Sequence, residues 1–274
     1  MKKTFPILLT VLMVLSLAAV AGYMFYQKTV ASPGVPSIHF ASETLSVPTD
    51  ASDEALLQGV TATDPEDGDV TSSLMVEGMS RIDNDNNVKV SYVAFDSKNH
   101  IARAERTVHL TDYTAIRFAF SSELMFVASN KVNVLERVTA TDVLDGDISN
   151  KVKFSVEGDS ISINSVGEYQ LELRVTNSLG ATAHLPVTVE VTATDPNPAK
   201  IKLDCYVLYL ARGAKFDAQK HVIGYTADGE SRTGADGLTV SGEVDTGKAG
   251  VYTVDYTYGS ADSRSRTRLI VVVE

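Results

Sequence analysis

The feature that most constrains this chain is an internal repeat. Val60-Thr61-Ala62-Thr63-Asp64 returns as Val138-Thr139-Ala140-Thr141-Asp142. Each copy runs on into an Asp-Gly-Asp, as Asp67-Gly68-Asp69-Val70 and Asp145-Gly146-Asp147-Ile148, with the two glycines 78 residues apart. Upstream, Ser42-Glu43 matches Ser122-Glu123; downstream, Phe95-Asp96-Ser97 matches Thr176-Asn177-Ser178. Matches that keep register across a whole unit mark a duplicated fold. A third, weaker copy follows. Tyr225-Thr226-Ala227-Asp228-Gly229 takes the place of the first motif, and Gly250-Val251-Tyr252 repeats Gly167-Glu168-Tyr169. Val191-Thr192-Ala193-Thr194-Asp195 spells the pentapeptide again, but out of phase. It reads as the end of a last strand entering the linker Asp195-Pro196-Asn197-Pro198.

Each unit is β. Tyr169, Leu171, Leu173 and Val175 alternate with Gln170, Glu172, Arg174 and Thr176, the period of two that gives a strand one buried face. Val88, Val90, Tyr92 and Ala94 do the same in the first unit, and Tyr252, Val254, Tyr256 and Tyr258 in the third. Gly, Asn and Asp punctuate at hairpin spacing. Several short strands in about 80 residues predict a small sandwich. The fold expected is all-β: three tandem Ig-like β-sandwich repeats (34–112, 113–194 and a divergent 195–274) after an N-terminal anchor and linker (1–33). Pro186 falls on the polar phase of its strand, which predicts a sheet edge. Gly-x-Tyr at the start of the penultimate strand predicts a tyrosine corner in units two and three; unit one has Asn86-Asn87-Val88 instead. The linkers are short, so the units are expected to stack nearly end to end.

Lys2 and Lys3 precede an apolar run from Phe5 to about Tyr26. That length is nearer a membrane-spanning helix, about 20 residues, than a signal-peptide core. The lysines orient it N-terminus in, C-terminus out. The expectation is a transmembrane helix over residues 5–26 as a membrane anchor. The alternative is a signal peptide cleaved after Ala21 or Ala31, which would leave a secreted chain. The remaining sequence carries 21 basic against 35 acidic residues, a net −14. Such a surface repels nucleic acid and suits divalent cations or a basic partner. The single cysteine, Cys205, excludes an intramolecular disulfide and reads as a small buried hydrophobe.

Val-Thr-Ala-Thr-Asp, then Asp-Gly-Asp-(Val/Ile), then Gly-x-Tyr, then an Asp/Asn-Ser turn: in this combination residues 36–274 resemble the bacterial surface immunoglobulin-like repeat family, whose sandwiches are related to hyalin-type and cadherin-like modules. The resemblance is close in the first two units and degraded in the third. It implies tandem stalk or adhesion modules on the cell surface.

The acidic loops are the candidate chemistry. Asp64, Glu66, Asp67 and Asp69 crowd one loop, and Asp142, Asp145 and Asp147 correspond in the second unit. Calcium takes six to eight oxygen ligands, several of them loop carboxylates. The alternative is a plain turn, with Gly68 and Gly146 at positive φ and the aspartates bonding nearby amides. Asp83-Asn84-Asp85-Asn86-Asn87 imitates the start of an EF-hand loop, but Val88 stands where its glycine belongs, so a hairpin tip is expected. Gly242 to Lys248 imitates a phosphate-binding loop with no helix to follow. No catalytic constellation emerges, and no cofactor other than calcium is implied. The function expected is a non-catalytic bacterial cell-surface protein, an extracellular stalk or adhesion module contacting a wall polymer or another surface protein. The alternative is a ligand-binding accessory subunit of an envelope complex, with the Tyr-rich third unit as its binding end.

Overall fold

A computed structural model describes the backbone of residues 4–29, 34–129, 132–155, 163–259 and 264–274, with the side chains of the first segment described at Leu12–Met24. Ala31 and the Ser32-Pro33 part of the first linker lie outside these residues. Helix α1 (Thr4–Thr29) forms on the apolar run. Among the described residues no helix is long and apolar enough to cross a membrane. The spanning anchor expected over residues 5–26 therefore finds no support here.

The first compact unit is Met1–Thr111. It carries β1 (Ser37–Phe40), β2 (Thr44–Val47), β3 (Val60–Asp64), β4 (Gly68–Asp69), β5 (Met75–Met79), β6 (Asn87–Phe95) and β7 (Ile101–Leu110). They pair as two sheets, β1-β3-β4 and β2-β7-β6-β5, with β2 parallel to β7. The alternation seen in the sequence drives this: Val88, Val90, Tyr92 and Ala94 are buried while Lys89 points out. A one-turn helix, α2 (Asp53–Leu56), capped by Ser52, packs against β2 and β5 and buries Leu56. The hydroxyl of the fully buried Tyr92 donates to the Leu56 carbonyl at 2.9 Å, so the largest core side chain has its polar end satisfied.

The second compact unit is Asp112–Glu274. It contains two sandwiches of the same design. The first has β8 (Arg117–Phe120), β9 (Met125–Val127), β10 (Val138–Asp142), β11 (Gly146–Asp147), β12 (Lys153–Phe154), β13 (Gly167–Thr176) and β14 (Thr182–Thr192). The second has β15 (Lys202–Leu203), β16 (Val207–Leu210), β17 (Val222–Ala227), β18 (Glu230–Thr233), β19 (Thr239–Ser241), β20 (Gly250–Tyr258) and β21 (Ser265–Val273). Their sheets, β8-β10-β11 with β9-β14-β13-β12 and β15-β17-β18 with β16-β21-β20-β19, reproduce the pairing of the first unit strand for strand. The three-fold sequence repeat is thus a three-fold repeat of one seven-stranded topology, the divergent third copy included.

The predicted details fall where expected. Tyr169 Oη donates to the Ser165 carbonyl at 2.8 Å and Tyr252 Oη to Lys248 at 3.0 Å, each tying a strand start to backbone four residues upstream. Pro186 pairs with Glu172 on one side only, because β9 reaches only Glu190 to Thr192 on the other. Asp83 accepts the N–H groups of Asp85 and Asn87, which makes the EF-hand imitation a hairpin tip. Gly242 leads into β20, so no helix follows it.

One expectation needs correction. The second and third repeats do not stack end to end; they share a core. Val207 and Ile270 of the third repeat are buried in the hydrophobic cluster of the second. Their neighbours on the opposite sheet face, Leu269, Val271 and Val273, fill the third repeat's own core. The sheet β16-β21 is therefore buried on both faces. Polar contacts seal the seam. The Phe118 N–H donates to Tyr209 Oη at 2.8 Å, and Arg117 pairs with Glu274 at 2.9 Å. The Arg117 guanidinium lies 4.8 Å over the Tyr209 ring, and Arg266 pairs with Glu190.

Candidate functional site

The repeated Val-Thr-Ala-Thr-Asp is a strand whose inward phase ends on a carboxylate. Val60, Ala62 and Asp64 are buried in β3, and Val138, Ala140 and Asp142 in β10. Asp64 is 5% exposed and Asp142 6%. An ionised carboxylate at that depth must be hydrogen-bonded. Asp64 Oδ1 accepts the N–H of Glu66 at 2.8 Å and of Asp67 at 2.9 Å. Asp142 Oδ1 accepts those of Leu144 and Asp145, both at 3.0 Å. These are Asx turns, and they deliver Gly68 and Gly146 at φ 76° and 70°.

The next aspartate crosses to the hairpin that follows the long sixth strand. Asp67 accepts the Ser97 N–H at 2.7 Å and its hydroxyl at 3.0 Å. Asp145 accepts the Ser178 N–H at 2.8 Å and its hydroxyl at 2.5 Å. The Ser178 hydroxyl, together with Lys151 at 2.9 Å, outweighs burial and holds the Asp145 carboxyl below its usual range. The last aspartate of each motif turns away from this crossing. Asp69 accepts the Thr71 N–H and Asp147 the Ser149 N–H, both at 2.9 Å, and each starts a turn of 3₁₀ helix. Those hydroxyl and amide donors lower both carboxyls.

The two loops part at the residue that faces the buried aspartate. In the second repeat the other oxygen of Asp142 accepts the side-chain amide of Asn177 at 3.1 Å. Asn177 is itself buried, and its own oxygen accepts the Ala181 N–H at 2.8 Å. In the first repeat the matching residue is Asp96, which has no N–H to offer. Asp96 Oδ1 accepts the N–H groups of Lys98 at 2.9 Å and His100 at 2.7 Å, while Oδ2 meets His100 Nδ1 at 2.5 Å. Burial pushes the Asp96 carboxyl up, but the His100 and Lys98 donors bring it below the usual range. Asp64 Oδ2 is left buried with no hydrogen-bond partner. Carboxylate oxygens of Asp64, Asp67 and Asp96 lie within 4.8 Å of one another.

Of the seven carboxylates singled out in the sequence, the structure gathers Asp64 and Asp67 and adds Asp96. Glu66 is turned to an ion pair with Lys98. The signal for Asp96 was present in the match of Phe95-Asp96-Ser97 to Thr176-Asn177-Ser178, but it lies about 30 residues beyond the acidic run.

Among its described residues the third repeat has no such loop. It gathers Asp204, Cys205 and His221 instead. His221 Nδ1 sits 3.1 Å from Asp204 Oδ1. Burial, then Asp204, pushes the Cys205 thiol up to about 12, which opposes the thiolate a soft metal needs. Beside it lies an open cleft of about 730 Å³ lined by Phe216, Asp217, Lys220 and His221. The Phe216 and His221 rings stack at 5.6 Å.

Residues 210–270 match the family model described as bacterial Ig-like domain, group 3. The chain resembles the bacterial immunoglobulin-like repeats. The match falls on the unit whose motifs are most degraded and which has no Asp-Gly-Asp. No curated protein matches the chain in sequence. Among solved structures it is similar to the M60 catalytic domain with CBM51-1 and CBM51-2 of Clostridium perfringens ZmpB. That likeness is at 12% identity and TM-score 0.22, over 88% of this chain and 31% of the other, so the chain spans about a third of that protein. It is also similar to mouse Cadherin-23 EC22-24, at 18% identity and TM-score 0.21, over 88% of this chain and 99% of that one.

Proposed function

We propose that this chain is a non-catalytic bacterial cell-surface protein whose immunoglobulin-like repeats form a stalk or adhesion module. The observation that carries the reading is how the loop carboxylates are used. In both Asp-Gly-Asp loops they accept backbone N–H bonds that shape the loop, as structural acids do, and are not convergent acid–base groups in a cleft. The uncharged run between Lys3 and Lys28 supports an N-terminal membrane anchor, N-terminus in, with cleavage and secretion as the alternative. The partner is a wall polymer or another surface protein. The test is co-sedimentation of the purified chain with isolated bacterial cell walls. Saturable binding supports adhesion, and hydrolysis of the wall by the chain alone refutes the non-catalytic reading.

A second reading has its own observation. The cleft of the third repeat combines stacked Phe216 and His221 rings with Asp217 and Lys220, the mixed aromatic and polar lining of a ligand site. If that repeat is the binding end, Phe216→Ala abolishes wall binding while the fold, followed by circular dichroism, is unchanged.

A further inference from the structure

We propose that the first repeat, and not the second, holds one hard divalent cation such as calcium between Asp64, Asp67 and Asp96. The inference does not rest on the adhesive reading.

The first argument is the orphaned atom. Asp64 is 5% exposed, and its Oδ2 is buried without a hydrogen-bond partner. A buried carboxylate oxygen without a partner costs free energy. The second repeat shows what satisfies it: at the same place the Asn177 amide donates to Asp142 Oδ2. In the first repeat the amide is exchanged for the carboxylate of Asp96, so the group facing Asp64 is an acceptor where a donor is required. A cation supplies what the lost N–H supplied.

Geometry agrees. Oxygens that all lie within 4.8 Å of one another are close enough to share one divalent cation. The acceptors are also held in place beforehand: Asp64 by two backbone N–H groups, Asp67 by Ser97, Asp96 by Lys98 and His100. Asp67 is exposed, so water completes the shell.

Charge separates the two repeats further. Asp64, Glu66, Asp67 and Asp96 face one nearby lysine, Lys98, which feels Glu66, Asp67 and Asp96 together, and the His100 ring, whose Nδ1 lies 2.5 Å from Asp96 Oδ2. In the second repeat Leu144 replaces Glu66 and Asn177 replaces Asp96, while Lys151 remains on Asp145. That loop has two carboxylates to one lysine and every buried oxygen satisfied, so it has no use for an ion. A water-completed site of three carboxylates belongs with extracellular modules, at a Kd of about 10⁻⁴–10⁻³ M.

The experiment is equilibrium dialysis of the full chain in detergent against radioactive calcium chloride, with thermal melts in calcium and in EDTA. The expected result is one equivalent bound per chain and a melting temperature that rises with calcium and saturates. Asp96→Asn, which copies the second repeat, removes the equivalent and the shift while melting in EDTA no lower than the parent. Asn177→Asp with Asp142 and Asp145 intact adds a second equivalent. Should Asp96→Asn fail to fold, Asp67→Asn at the exposed ligand makes the same test. No saturable binding, a bound ion that survives Asp96→Asn or Asp67→Asn, or an ion lost on Asp142→Asn but kept on Asp64→Asn overturns the proposal.

Discussion

The Asp-Gly-Asp loops of the first and second repeats share their strand, their Asx turn, their positive-φ glycine and their crossing to a serine, yet they solve one problem differently. Each ends an inward-facing strand on a carboxylate at 5–6% exposure. The second repeat neutralises the need with an amide, Asn177; the first surrounds it with further carboxylates. One atom exchange, an N–H for an oxygen, turns a self-sufficient turn into one that demands a positive partner. Burial alone fixes where the acid goes. Its neighbour decides whether the acid is structural or a ligand.

The comparison is broken most forcefully by deleting the acids themselves. In calcium-free buffer Asp142→Ala removes three hydrogen bonds from a buried, charged acceptor and is expected to cost about 3 kcal/mol. Asp64→Ala removes two such bonds and also an unsatisfied oxygen, and is expected to cost about half as much. Urea unfolding of the two variants, followed by separate probes because the compact units need not unfold together, checks the order. Equal costs would mean that the loops are equivalent after all.

Asn177→Asp comes next. It strips the amide from Asp142 and adds a buried carboxylate, at an expected cost of about 1–3 kcal/mol in EDTA. Asp96→Asn moves the first repeat in the opposite, stabilising direction, read as a higher urea midpoint. A smaller effect concerns pH. The Asp145 carboxyl is depressed by Ser178, so the folded state favours its charged form. That stability is complete above the unfolded carboxylate range and is lost as pH falls through the lower folded value. Ser178→Ala is expected to flatten melting temperature against pH over about pH 2 to 5. The smallest effect is that of the exposed pair Lys98–Glu66: Lys98→Ala is expected to leave the calcium-free melting temperature unchanged within error.

Much of the fold was legible because burial writes itself as alternation. Tyr169 to Thr176 and Val88 to Ala94 gave strands, faces and repeat boundaries. The shared core of the second and third repeats was legible too, in a different script. Leu269-Ile270-Val271-Val272-Val273 is apolar on both phases, which a strand with one wet face cannot be. Short linkers suggested stacking and overrode that signal. The site was half legible. Asp64 and Asp67 sit in one run, but Asp96 arrives from a hairpin brought near by strand pairing, and proximity of that kind has no period in the sequence. Tyr92 and Tyr256 show the same limit. Their place in the core follows from alternation, but not the carbonyls of Leu56 and Ala218 that accept their hydroxyls.

The pairing of the second strand of each repeat, parallel to its last, bears on how such a chain carries load. Val207 to Leu210 run alongside Ile270 to Val273, and Thr44 to Val47 alongside Thr107 to Leu110. A pull on the two ends of a repeat drags these partners past each other along their length. The bonds between them are then strained together in shear and must give way as a set, where an antiparallel pair pulled from one end would open one rung at a time. Tension is met by a clamp, not a zipper.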